Sequence, residues 1–135
     1  MFNDELPTFD PAGDRDFFEV FGPVFARNAF WSRVKPVPTM GGPADSIQKV
    51  MRFYDFWERF DSWREFTHEE EYDLSQAEGR YEKRYMEREN RRMKAHLFKE
   101  EHARIRKLVN MAYENDPRVI KHNRELEEEK ERAKA

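Results

Sequence analysis

Residues 53–66 read Phe53-Tyr54-Asp55-Phe56-Trp57-Glu58-Arg59-Phe60-Asp61-Ser62-Trp63-Arg64-Glu65-Phe66, seven aromatic side chains interleaved with six charged ones. Such a segment can neither remain in water nor bury itself completely. Neighbouring segments must cover its rings while its Asp, Glu and Arg side chains stay wet, so it forms the centre of the core. Extended back towards Asp45, a helical period of about 100° per residue places Ile47, Val50, Met51, Phe53, Tyr54, Phe56, Trp57 and Phe60 on a broad arc. Gln48, Arg52, Asp55 and Arg59 share a narrow polar strip. Asp45 or Ser46 opens this helix, with Gln48 completing a capping box for Asp45. Asp61 and Ser62 offer a cap for a further turn that carries Trp63 and Phe66 back onto the same core.

The whole chain has 135 residues, enough for one domain with a real core. Only 38% of it is hydrophobic and 39% is charged, so the apolar payload rests on twelve Phe, three Trp and five Tyr. The absence of cysteine excludes disulfides and thiolate chemistry and fits a reducing compartment. No apolar run reaches spanning length, and Met1 is followed by Asn3, Asp4 and Glu5 rather than by a basic and then apolar leader. The reading is a soluble intracellular protein. A net charge of −3 argues against a uniformly basic nucleic-acid binder, yet it hides a segregation. Residues 80–107 hold eleven Lys or Arg against five Asp or Glu, a local excess of +6 that leaves −9 on the remainder.

Residues 1–13, with Pro7, Pro11 and Gly13, read as an extended arm. Asp14 or Asp16 caps a short helix that Gly22 and Pro23 stop at Phe21, and Pro23 opens a second one to about Trp31. Phe17, Phe18, Phe21, Phe25, Phe30 and Trp31 are too many aromatics for a solvated arm, so this region docks on the core. Residues 34–43 form an extended, Pro- and Gly-rich connection. Its Gly41-Gly42 pair lacks the Lys and the preceding strand of a phosphate loop. After an acidic surface loop at 68–73, Ser75 with Glu78 begins the longest helical pattern. Met86, Asn90, Met93 and Leu97 share one face of it, and Arg84, Arg88 and Arg91 lie opposite. The apolar patch Ile105, Leu108, Val109 and Ala112 follows after a polar gap, so either one long helix runs through, the reading favoured here, or it breaks near residues 96–102. Asn115-Asp116-Pro117 ends it and starts another, whose charged course from residue 121 rests on pairs such as Glu128 with Arg132.

The fold expected is all-α: a small helical bundle around the aromatic-rich helix, with a long basic helix and a charged C-terminal helical extension. The divisions are an arm at 1–13, a domain at 14–120 and the extension at 121–135. The basic run suits two readings. A row of guanidinium groups along a helix fits phosphate oxygens without reading a base. Equally, it forms a solvated face with intrahelical pairs such as Glu87 with Arg91. His68, His96, His102 and His122 lack a second ligand at metal-binding spacing, so they read as surface histidines and no metal or other cofactor is expected. No nucleophile motif or Gly-rich loop supports a catalytic residue or a small-molecule substrate, and the chain reads as a non-enzyme.

The aromatic block at 53–66, the run Arg80-Tyr81-Glu82-Lys83-Arg84-Tyr85-Met86-Glu87-Arg88-Glu89-Asn90-Arg91-Arg92, and the run at 104–118 ending in Asn115-Asp116-Pro117-Arg118 together resemble the zuotin homology domain. The lead-in at 16–25 and the Pro-Val-Pro at 36–38 are similar as well. The resemblance implies a ribosome-binding module of a J-protein co-chaperone. Such a module attaches an Hsp70-linked complex to the large subunit near the tunnel exit, touching ribosomal RNA and a ribosomal protein there. It carries the family's Arg pair onto Arg84 and Arg88, with Arg80, Lys83, Arg91, Arg92 and Lys94 as supporting contacts and Glu87 and Glu89 interrupting the run. A long charged helix is implied after residue 120, and a cytoplasmic, ribosome-associated location with some relatives also nuclear. The His-Pro-Asp tripeptide with which the family's J domain stimulates an Hsp70 is not among these residues. Two other classes stay open: a helical scaffold whose basic face binds an acidic protein, and a chromatin or nucleic-acid adaptor.

The aromatic arc generates a direct test. Truncating Trp57 to Ala leaves a large cavity, and a melting or denaturant curve should record a loss of about 3–5 kcal/mol. An unchanged curve places Trp57 at the surface and makes the block a binding platform.

Overall fold

A computed structural model describes residues 5–64 and 72–134. Its elements are α1 (Phe17–Ala29), α2 (Ile47–Glu58), a single 3-10 turn (Leu74–Gln76), α3 (Arg80–Asn115) and α4 (Pro117–Lys134). The architecture is all-α, as the periodicity predicts. Phe66 and most of the acidic stretch at 68–73 lie outside the described residues.

Helix α2 is the centre. Ser46 is its N-cap, its side chain accepting from the Lys49 amide, and Val50, Phe53, Tyr54 and Trp57 are buried while Arg52, Asp55 and Arg59 are exposed. Phe25 of α1 meets Phe53 at 5.0 Å and Trp57 at 4.9 Å, both edge to face, and Phe60 stacks on Trp57 at 4.6 Å. From the other side Ile105, Leu108, Val109 and Ala112 of α3 and Val119 of α4 complete the core. The described part of the arm is docked and turns at Asp10–Gly13: Phe9 lies 5.9 Å from Phe17 and 5.6 Å from Phe21.

Four expectations need correction. The segment 17–29 is one helix, not two, and Pro23 lies inside it. An internal Pro costs about 3 kcal/mol, but Val24 and Phe25 beyond it are buried and contribute about 1.5–3 kcal/mol each. Burial therefore outweighs the break. Glu19, whose carbonyl loses its partner to Pro23, is exposed and can use water. The turn expected from Asp61 and Ser62 is instead an antiparallel bridge: Ser62 pairs with Ser32, Arg33 N–H donates to Asp61 O at 2.8 Å and Trp63 N–H to Trp31 O at 2.9 Å. Trp63 stands partly exposed against Trp31 and Phe30. Ser75 does not begin the long helix. It sits in the 3-10 turn capped by Asp73, and α3 starts after Gly79, whose φ of 132° favours glycine. Finally, Glu128 and Arg132 form no ion pair, whereas Lys130 approaches Glu127 at 3.7 Å.

Two buried polar networks hold the helices in register. Asp116, with no exposure, accepts from Tyr54 Oη at 2.6 Å, from Arg118 N–H at 2.9 Å and from Arg118 Nε and Nη2 at 3.0 and 2.8 Å. Arg118 Nη1 donates to Met40 O at 2.7 Å and Gly42 O at 3.3 Å, and its guanidinium lies 5.0 Å from the Phe18 ring. Gly41, at φ 74°, wraps this connection around Asp45, where a Cβ would collide with the carboxylate. The second network joins Glu101 to Arg104 at 2.8 Å and Arg64 at 3.5 Å, and Arg104 to Asn28 Oδ1 at 2.8 Å.

Removing Asp116 leaves the Arg118 charge buried without its carboxylate, so Asp116→Ala should lose about 3–5 kcal/mol in chemical denaturation. Burial and then the Asp116 carboxylate push the Tyr54 hydroxyl above its ordinary value. Its contribution to stability is thus intact below pH ~10 and declines as pH rises beyond it, because the unfolded chain ionises first. Tyr54→Phe should flatten that alkaline decline, and an unchanged slope removes Tyr54 as its source.

Candidate nucleic-acid interface

Helix α3 is one continuous element of 36 residues, about 54 Å at 1.5 Å per residue. Its last third is locked into the core, with Ile105, Leu108, Val109 and Ala112 buried. Its first half lies outside the aromatic cluster. There Met86 and Asn90 are buried and Met93 and Leu97 partly so, the face expected from the wheel. Among the described residues, the segment entering the 3-10 turn covers it. Tyr72 N–H donates to Asn90 Oδ1 at 3.0 Å, Asn90 Nδ2 donates to Tyr72 O at 2.9 Å, and the Tyr72 ring meets Tyr85 edge to face at 5.8 Å. Asn90 thus clasps a backbone with both ends of its amide.

The seven basic candidates, Arg80, Lys83, Arg84, Arg88, Arg91, Arg92 and Lys94, are all exposed, and Arg80, Arg84, Arg88 and Arg91 lie on the side of α3 away from Met86 and Asn90. Successive steps of four and three residues put Arg80, Arg84, Arg88 and Arg91 in one row. Arg80, Lys83, Arg84 and Arg91 make no ion pair with a described residue, and the expected Glu87–Arg91 pair is not formed. The nearby acids are partly occupied. Glu89 approaches Arg92 at 3.6 Å, and Glu82 accepts from the Glu78 amide at 3.0 Å. Arg88 lies 5.9 Å from the Tyr85 ring. The arrangement offers several exposed, unneutralised forks along one edge, a geometry suited to a line of anionic oxygens.

The described histidines form no cluster. His96 reaches Glu100 at 2.8 Å, His102 packs against Phe98 with ring centroids 4.1 Å apart, His122 lies on α4, and His68 is outside the described residues. No three metal-ligating side chains converge among the described residues, and no helix is long and apolar enough to cross a membrane. Sequence reasoning missed the buried Glu101 and Arg118. Arg118 had one signal, its place directly after the Asp116-Pro117 stop, where its side chain turns back onto the cap.

The described residues thus form a helical unit with a solvated basic edge along α3. Residues 16–120 match the family described as Zuotin-like, zuotin homology domain, and the chain belongs to that family. It is 46% identical over 136 residues to DnaJ homolog subfamily C member 2 of Danio rerio, covering 96% of this chain and 22% of the relative. The Homo sapiens protein of that name is 47% identical over 124 residues, covering 92% and 20%. Zuotin of Saccharomyces cerevisiae is 38% identical over 115 residues, covering 85% and 27%. The chain therefore spans about a quarter or less of the length of these relatives.

The Asn90 clasp predicts a local effect. Asn90→Ala should cost about 1–3 kcal/mol for the two lost backbone partners and accelerate hydrogen exchange at the Tyr72 amide, leaving Leu108 and Val109 protected. Equal acceleration in the core would show that the clasp is not a separate unit.

Proposed function

We propose that this chain is the ribosome-binding module of a J-protein co-chaperone, and that Arg84 and Arg88 contact backbone phosphates of large-subunit ribosomal RNA near the tunnel exit. The observation that carries the reading is the exposed row of basic side chains on α3 in a member of the zuotin homology domain family. Arg80, Lys83, Arg91, Arg92 and Lys94 extend the contact. A ribosomal protein at the exit supplies a second surface, and the rest of the full-length protein links an Hsp70-type partner for cotranslational folding. The module itself catalyses nothing; it places a chaperone.

Phosphate contact explains why such a face needs forks rather than a shaped pocket. A-form RNA hides its major-groove base edges in a deep, narrow groove and presents phosphates and 2′-hydroxyls, so charge at regular spacing suffices for contact without sequence readout. Arg84 and Arg88 stand four residues apart, about 6 Å along the axis, close enough to engage neighbouring phosphates of one strand.

Replacing both with Ala should leave the melting temperature nearly unchanged, because the groups are exposed and Ala favours helix. Cosedimentation with salt-washed ribosomes should weaken. The slope of log affinity against log salt should fall by about one unit per lost contact. Wild-type cosedimentation of the folded double variant removes these residues from the site. Loss on ribosomes, with neither form binding free ribosomal RNA, transfers the face to an acidic protein partner.

A further inference from the structure

The most exposed large hydrophobic side chain of the described residues is Tyr81, at 84%, and it sits inside the basic row. A single exposed aromatic is ordinary in itself. Its register is what matters. Tyr81 is three, four, seven and eleven residues before Arg84, Tyr85, Arg88 and Arg92, so these five share one stripe along the first three turns of α3. Rings and guanidinium groups alternate along it. Tyr85 is committed: its ring lies under Arg88 and against Tyr72. The Tyr81 ring packs on no described ring or guanidinium, so it contributes nothing visible to the fold.

We infer that Tyr81 is a stacking platform for an unpaired base, and that the basic face therefore takes RNA with an unpaired nucleotide beside its phosphates rather than an uninterrupted duplex. This rests on the RNA reading above and names its substrate more closely. In a continuous A-form helix the base faces are stacked on one another and closed to a side chain. At a loop or bulge a base can splay out and stack on Tyr, while Arg planes hold the adjoining phosphates. With Arg84 and Arg88 on the strand, Tyr81 lies one turn before the first fork, where the next base of that strand would fall. The contact is sequence-tolerant, since every base presents a π-face.

The experiment compares two RNA probes carrying equal numbers of phosphates across one series of salt concentrations: a hairpin with an unpaired loop and a blunt duplex. The whole chain should prefer the hairpin. Tyr81→Ala should weaken hairpin binding roughly tenfold, leave duplex binding within about twofold and leave the salt slope unchanged, because no charge is removed. Tyr81→Phe should bind the hairpin like wild type. Hairpin binding unaffected by Tyr81→Ala, or weakened equally on both probes, overturns the inference while leaving the RNA reading intact. Failure of the wild-type chain to bind either probe removes the RNA reading, and this inference with it.

Discussion

The Asp116 carboxylate is the constraint on which the rest of the structure depends. Taking a carboxylate and a guanidinium out of water costs several kcal/mol per ion, and only good geometry with further hydrogen bonds offsets it. Here four donors converge on Asp116, and Arg118 spends its remaining N–H groups on the Met40 and Gly42 carbonyls. Each partner comes from a different part of the chain. Tyr54 belongs to α2, Met40 and Gly42 to the connection before it, Phe18 to α1, and the ion pair itself to the α3–α4 junction. Apolar packing would tolerate small slips among these elements. A buried charge with directional partners does not, so the pair fixes one register.

That register decides what α3 can present. Core contacts grip its C-terminal third, and the Glu101 network ties it again to Arg64 near the bridge and to Asn28 of α1. A helix held at two places along its last half is oriented as a rod, and the basic row on its first half inherits that orientation. The Asn90 clasp then fills the apolar side with the Tyr72 backbone, which leaves the opposite side to solvent.

The helical parts were legible where a period repeats over several turns. The apolar arc of α2 and the Met86–Asn90 face follow from spacing alone, whereas the polar gap between Leu97 and Ile105 left the continuity of α3 to be decided by the structure. Local punctuation misled. Gly22-Pro23 reads as a stop, yet the buried rings on both sides carry the helix through. Ser75 with Glu78 reads as a cap, yet Asp73 takes Ser75 into a separate turn. The buried polar networks were not legible, because whether Glu101 or Arg118 is buried depends on partners 37 to 78 residues away in the chain. Asp116 reads correctly as a cap and conceals its second role. Arg84, Arg88 and Arg91 were assigned to a face by the wheel, and they and the four supporting basic residues are exposed, but their ligand lies beyond what spacing can decide.

A chain of net charge −3 can still offer an attractive face to an anion, provided the acidic remainder stays out of range. Five acids, Glu125, Glu127, Glu128, Glu129 and Glu131, fall within the exposed course of α4. Helix α4 starts at the end of α3 farthest from Arg80. Its 18 residues span about 27 Å, whereas Arg88 stands about 40 Å from Asn115 along α3. Even folded back flush, α4 would stop some 13 Å short of Arg88, beyond the physiological screening length of about 8 Å. The repulsion is therefore screened where the basic row is not. Net charge averages over a distance that the solvent does not transmit, and the length of α3 keeps the α4 acids away from Arg84 and Arg88.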